Sequence, residues 1–122
     1  MVYLREAHPS DGWSVEDWSP VPDPETLAER KGAAWKCRRD FGFDFTTVVD
    51  TMDDRTAERW SAWPERLFVV SSEGKVIYTG DQGPFGFDPA ADFPGYRDRP
   101  KLGIDLESFL EAYLPTEAKQ GS

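Results

Sequence analysis

Short runs of β-forming residues alternate with helix-forming segments along this chain, and that alternation restricts it to an α/β arrangement. Val2, Tyr3 and Leu4 suit a strand that Arg5 and Glu6 carry to the surface. Pro20, Pro22 and Pro24 exclude continuous helix around them. A helix is predicted from about Pro24 to Arg38, with Asp23 as its N-cap and Pro24 at its first position. Leu27, Ala28, Ala34 and Trp35 fall roughly on one face of it, and Phe41-Gly42-Phe43 ends it. Phe45 to Val49 reads as a second strand ending in Asp50, after which Asp53 or Asp54 caps a short helix through Trp60. Arg66 to Val70 and Lys75 to Thr79 read as antiparallel strands joined by a turn at Ser72-Glu73-Gly74. Past an irregular stretch, Asp105 caps a last helix with the stripe Leu106, Phe109, Leu110 and Tyr113. A staple between Ile104 and Phe109 is expected across that cap. The order β, α, β, α, β-hairpin, α predicts a sheet with flanking helices in a single domain, residues 1–122.

Charge narrows the function classes. Fourteen Lys and Arg against twenty-three Asp and Glu give a net charge of -9. Nucleic-acid backbones and anionic membrane surfaces repel such a chain, so neither is an expected partner. No apolar run approaches the length of a membrane span, and Arg5 and Glu6 interrupt any secretory leader. The lone Cys37 excludes an intramolecular disulfide and fits a reducing compartment. The expectation is a soluble, acidic, cytoplasmic domain.

Chemistry gathers in the loop after the first strand. Glu6, His8, Ser10 and Asp11 bring together two carboxylates, a hydroxyl and the single imidazole. A histidine titrates near neutral pH and a neighbouring carboxylate can orient it, so this set can move protons. The plainer reading is a turn histidine hydrogen-bonded to its own loop. Cys37 lies among Lys36, Arg38 and Arg39, which favour a thiolate, but at a helix C-terminus, which disfavours one. A structural role is the better reading. Asp50, Asp53 and Asp54 lack the spacing of a Ca²⁺ loop; helix capping explains them, and no metal site is expected. Most of the aromatic rings serve packing, while Trp13, Trp63, Phe85 and Phe87 fall on predicted loops and are candidates for a pocket wall.

Three separated segments fit one family together: Val2 to Trp13 (VYLREAHPSDGW), Val48 to Met52 (VVDTM) with Pro64 to Leu67 (PERL), and Gly74 to Pro89 (GKVIYTGDQGPFGFDP). In motif, order and approximate spacing they resemble the iodothyronine deiodinases and their bacterial relatives. That resemblance implies a thioredoxin-like α/β fold and reductive removal of iodine by a selenocysteine or cysteine, with an external thiol reductant and no bound cofactor. It assigns Glu6 and His8 to catalysis and places Ser10, Asp11 and Trp13 in the same loop against substrate. Pro64 matches the proline, commonly cis, that faces the nucleophile. Pro84 and Phe85, after Gly83, match a Gly-Pro-aromatic substrate loop.

The chain departs from the family at two points. The family's nucleophile lies in a β-α unit before the first motif, where this sequence starts, and its further histidine has no counterpart between Trp13 and Leu27. The sheet is therefore expected to be incomplete or rearranged. A nucleophile would come from an N-terminal extension, a partner or an external thiol. Two other readings stand beside this one: a non-catalytic module binding an aromatic or phenolic ligand, and half of a strand-exchanged homodimer.

Overall fold

Met1 to Tyr3 runs alongside Thr46 to Asp50, and the two stretches form a parallel ladder. In it β1 (Val2–Tyr3) pairs with β2 (Val48–Val49), Val2 opposite Val48 and Tyr3 opposite Val49. Val48 N–H donates to Met1 O and Asp50 N–H to Tyr3 O, both at 2.9 Å. Parallel strands need a crossover, and here it contains α1 (Leu27–Phe41). The computed structural model describes residues 1–11, 21–94 and 103–115. They fall into two compact units, Met1–Pro64 and Glu65–Ser122.

In the first unit, α1 begins three residues later than the Pro24 start predicted from sequence. Thr26, not Asp23, is its N-cap, with the Thr26 hydroxyl accepting from Glu29 N–H at 3.2 Å. Glu29 turns its carboxylate back to accept from Glu25 N–H at 2.7 Å. Asp23 is engaged elsewhere, its N–H donating to the Asp11 carboxylate at 2.8 Å. Gly42 closes the helix at φ 68°, a conformation that costs glycine little. The buried stripe also differs from the expected one. Arg30, Ala33 and Ala34 face inward with Cys37 half-buried, at i, i+3, i+4 and i+7, while Leu27 and Trp35 stay exposed. Two small alanines allow close packing where two large side chains would not fit.

The β2 ladder is shorter than the Phe45–Val49 run, and α2 (Arg55–Trp60) follows it. Neither Asp53 nor Asp54 caps α2 through its side chain. Asp54 occupies the cap position at φ 57° without such a bond. The carboxylate of Asp50, 2% exposed, takes that role and accepts from Thr51, Thr56 and Ala57 N–H, each at 2.9 Å. The unit ends at a cis Trp63-Pro64 bond.

The second unit holds an antiparallel hairpin, β3 (Phe68–Val70) and β4 (Val76–Thr79), with a register shift at Val70. Gly74 turns it at φ 79°. Gly80 N–H bonds Leu67 O at 2.8 Å, and Arg66 Nε donates to Gly80 O at 2.7 Å, extending the clasp past the ladder. α3 (Leu106–Tyr113) is capped by Asp105, whose carboxylate accepts from Ser108 N–H at 2.9 Å. The ring of Phe109 lies against Tyr78, centroids 4.9 Å apart, and the Tyr78 hydroxyl donates to Ile104 O at 2.8 Å. Ile104 itself stays exposed, and the expected stripe of α3 is half-buried at Leu106, Phe109 and Leu110 and exposed at Tyr113. The described fold is thus a small mixed α/β chain with two two-stranded sheets.

Candidate active site

The loop after β1 is fixed at both ends. On one side the Arg5 guanidinium sits 4.5 Å over the Trp63 ring, and Trp63 Nε1 donates to Arg5 O at 3.2 Å. On the other, Ser10 N–H donates to Val21 O at 2.8 Å and the Asp11 carboxylate receives Asp23 N–H. Glu6 and His8 lie between these anchors, both half-buried. The tight polar turn expected from His8 to Gly12 is described as far as Asp11, Gly12 lying outside the described residues, and it is strapped to the segment that leads into α1.

The electrostatics single out Glu6. Burial raises its carboxyl above the ordinary value; the nearby Asp23 raises it further, and His8 pulls it part of the way back. A carboxyl held toward its protonated form beside an imidazole can both give and take a proton. The Cys37 thiol is also raised, by burial first and then by the negative charges of Glu6 and Asp40. The only thiol of the chain therefore faces the same acidic neighbourhood and is held protonated, which disfavours nucleophilic attack.

The first unit brings together Glu6 and His8, with Ser10 and Asp11 in the same strapped loop. Pro64 is half-buried, its cis bond adjoining the Trp63 that anchors Arg5. Pro84 and Phe85 belong to the second unit. There Gly83 N–H donates to Glu65 O at 2.8 Å, Gly83-Pro84 is cis, and Phe85 is 54% exposed. Trp13 lies outside the described residues. Sequence reasoning missed Asp23 and the approach of Cys37 to Glu6. The reading of Asp23 as a helix cap hid the first, and only the packing of α1 could reveal the second. Among the described residues no group of three His, Cys, Asp or Glu is placed to hold a metal ion. Nor is any helix there long and apolar enough to cross a membrane.

Comparison with known proteins gives these loops a context. The family model described as iodothyronine deiodinase matches residues 1–91. The chain is 41% identical over 88 residues to thyroxine 5-deiodinase of Gallus gallus, covering 71% of this chain and 33% of that protein. It is 33% identical over 89 residues to type I iodothyronine deiodinase of Xenopus laevis, covering 73% of this chain and 34% of that protein. Against thyroxine 5-deiodinase of Homo sapiens it is 37% identical over 89 residues, 71% of this chain and 28% of that protein. The chain spans about a third of the length of the curated relatives it matches.

Proposed function

The chain belongs to the iodothyronine deiodinase family, and on that premise we propose that it is the proton-handling part of a thiol-dependent oxidoreductase of the reductive dehalogenase type. The observation that carries this reading is the raised carboxyl of Glu6 beside His8 in a loop pinned at both ends. The overall reaction replaces an aryl carbon–iodine bond by carbon–hydrogen, oxidises two thiols to one disulfide, and releases iodide with a proton. Such a reaction needs a group that delivers a proton to carbon and a group that accepts one from a thiol. Glu6 and His8 are suited to those two roles. Ser10, Asp11, Trp13, Pro64, Pro84 and Phe85 are proposed to hold a phenolic aromatic substrate, in a single thioredoxin-like domain. The reductant is an external thiol, and no bound cofactor is invoked.

The nucleophile in this proposal is a cysteine or selenocysteine presented by a segment ahead of Met1, by a partner, or by a free thiol. Cys37 does not fill the role, because its thiol is raised rather than lowered. In a form carrying a cysteine-bearing β-α segment before Met1, Glu6→Gln and His8→Ala are each expected to lower iodide release about 100-fold or more under excess dithiol. Unchanged rates in both variants would remove the loop from the mechanism.

The state of Cys37 favours a second reading for residues 1–122 by themselves. With its one thiol raised rather than lowered, the chain alone is proposed to act as a binding module for phenolic ligands. Saturable quenching of tryptophan fluorescence by an iodinated phenol, without any thiol requirement, is the expected result. A flat titration contradicts it.

A further inference from the structure

Helix α3 sorts its side chains into adjacent rows, because residues four apart share a face and each position turns by about 100°. Phe109 and Tyr113 make the inner row. Phe109 packs on Tyr78 with centroids 4.9 Å apart, and Tyr113 stacks on Phe109 at 5.7 Å. Leu106 and Leu110 form the next row, continued by Leu114 at the C-cap. Glu107 and Glu111 form the row beyond the leucines. Leu106 and Leu110 are half-buried, whereas Leu114 and both glutamates are exposed.

The leucine and glutamate rows, with Pro89, line an open groove of about 240 Å³. Its wall is tied to the helix by the backbone. Leu106 N–H donates to Asp88 O at 3.1 Å and Glu107 N–H to Pro89 O at 3.0 Å. The groove is therefore formed before anything enters it, and it lies wholly within the second unit. Its lining is apolar except for two carboxylates on one flank, and α3 contains no Lys or Arg. Cavities that take drug-sized ligands run from roughly 300 to 1,000 Å³. A smaller, open groove suits one or two large side chains presented by a protein segment.

We infer that this groove docks a basic amphipathic helix of a different protein. Its large aliphatic side chains would lie on the leucine row, and Lys or Arg four residues apart would run along Glu107 and Glu111. An amphipathic helix engages such a groove through anchors at i, i+3 or i+4, and i+7. The apolar row by itself would accept any helix of that kind; the acids on one flank select the sign of its charge and its orientation. An acidic helix or an anionic lipid surface is opposed twice, by Glu107 and Glu111 and by the chain's net charge of -9. The contact area is small, so the complex is weak, with a dissociation constant of about 10–100 μM. The inference does not rest on the roles of Glu6 and His8.

The probe is a fluorescein-labelled synthetic helix of about four turns, with a leucine stripe and lysines at i, i+4 along one flank. Fluorescence anisotropy follows it as the 122-residue chain is added up to about 1 mM. Saturable binding is expected, weakened about ten-fold or more when serines replace the probe's leucines or glutamates its lysines. Leu114→Glu and Glu107→Lys in the chain should each weaken it by a similar factor. Leu114 is 40% exposed at the end of α3, so its replacement spares the core, and circular dichroism checks that each variant stays folded. A chain carrying both Glu107→Lys and Glu111→Lys should prefer the glutamate probe. Glu73→Lys, in the β3–β4 turn away from the groove lining, changes net charge as much as Glu107→Lys and should leave binding within about two-fold. Absence of saturable binding overturns the inference. So does an equal loss in Glu73→Lys and Glu107→Lys, which reduces the effect to overall charge, and so does unchanged binding in Leu114→Glu. A bound fraction that falls as the chain is concentrated shows copies filling one another's grooves, and overturns it too.

Discussion

Two buried charged residues organise the first unit, and each is tolerated for a local reason. A carboxylate at 2% exposure is costly unless hydrogen bonds replace its water. Asp50 has three such bonds, from Thr51, Thr56 and Ala57 N–H. Burial pushes its carboxyl up, but the Ala57, Thr56 and Thr51 donors outweigh that and carry it below the usual range. Arg30, 3% exposed, reaches Thr51 O at 2.7 Å and Asp50 O at 3.5 Å through Nη1, and pairs with Asp54 through Nη2 at 3.1 Å. Together they tie α1, the end of β2 and the start of α2 into one polar joint under the VVDTM motif. Asp50→Asn is expected to cost about 2–3 kcal/mol in urea denaturation, since an amide keeps one acceptor and turns a donor toward N–H groups. Arg30→Lys should cost about 2 kcal/mol, because one ammonium cannot span the carbonyls and the carboxylate that the planar fork reaches together. A loss under about 0.5 kcal/mol in either, the range of ordinary surface substitutions, would mean that the joint is replaceable.

At the scale of elements, the caps show what sequence could and could not disclose. Asp23-Pro24 and Thr26-Leu27-Ala28-Glu29 are both valid helix starts, the second being a capping-box pattern. Local rules do not choose between them. The structure uses the second, while Asp23 N–H bonds the carboxylate of Asp11, twelve residues earlier. Thr26→Ala is accordingly expected to lower stability by about 1 kcal/mol. Asp23→Ala should leave the helix content unchanged while letting the Glu6 carboxyl fall, a change that NMR titration would register. Equal losses of helix in both variants would restore Asp23 as the cap. Where signals were local and unopposed, as in the β3–β4 turn, the Gly42 stop and the Asp105 cap, sequence and structure agree. Long-range choices were not legible: Asp50 capping α2 from six and seven residues away, or Cys37 approaching Glu6. The loop that carries Glu6, His8, Ser10 and Asp11 stood out in the sequence because these residues lie within six positions of one another.

At the scale of the whole chain, the core formed by the described residues is thin. Among the described residues the buried apolar ones are Ala33, Ala34, Ala57, Ala62 and Tyr78, and many larger side chains keep substantial exposure. With so little apolar burial, ionisation weighs heavily in net stability, and two carboxyls act on it in opposite directions. Asp50, lowered on folding, contributes stability that is complete above the unfolded aspartate value of about 3.9 and is lost as pH falls through its lower folded value. Glu6 is raised on folding, so its contribution is complete below its unfolded value of about 4.3 and is lost as pH rises through its higher folded value. Self-repulsion from a net charge of -9 adds to the loss on the alkaline side and is relieved as carboxylates protonate. Thermal stability is thus expected to peak near about pH 4, between the two unfolded values, declining toward neutrality and falling again at lower pH. Glu6→Gln should raise the melting temperature at pH 7.5 and flatten the upper limb, while lowering turnover wherever the loop works on protons. Asp50→Asn should lower stability at pH 6 and make the acid limb shallower. Added salt should stabilise the wild-type chain at pH 7.5 by screening repulsion, because exposed pairs such as Lys36–Asp40 contribute little for it to weaken. A Glu6→Gln chain with the wild-type slope between pH 5 and 7.5 would show that the upper limb belongs to overall charge and not to that carboxyl.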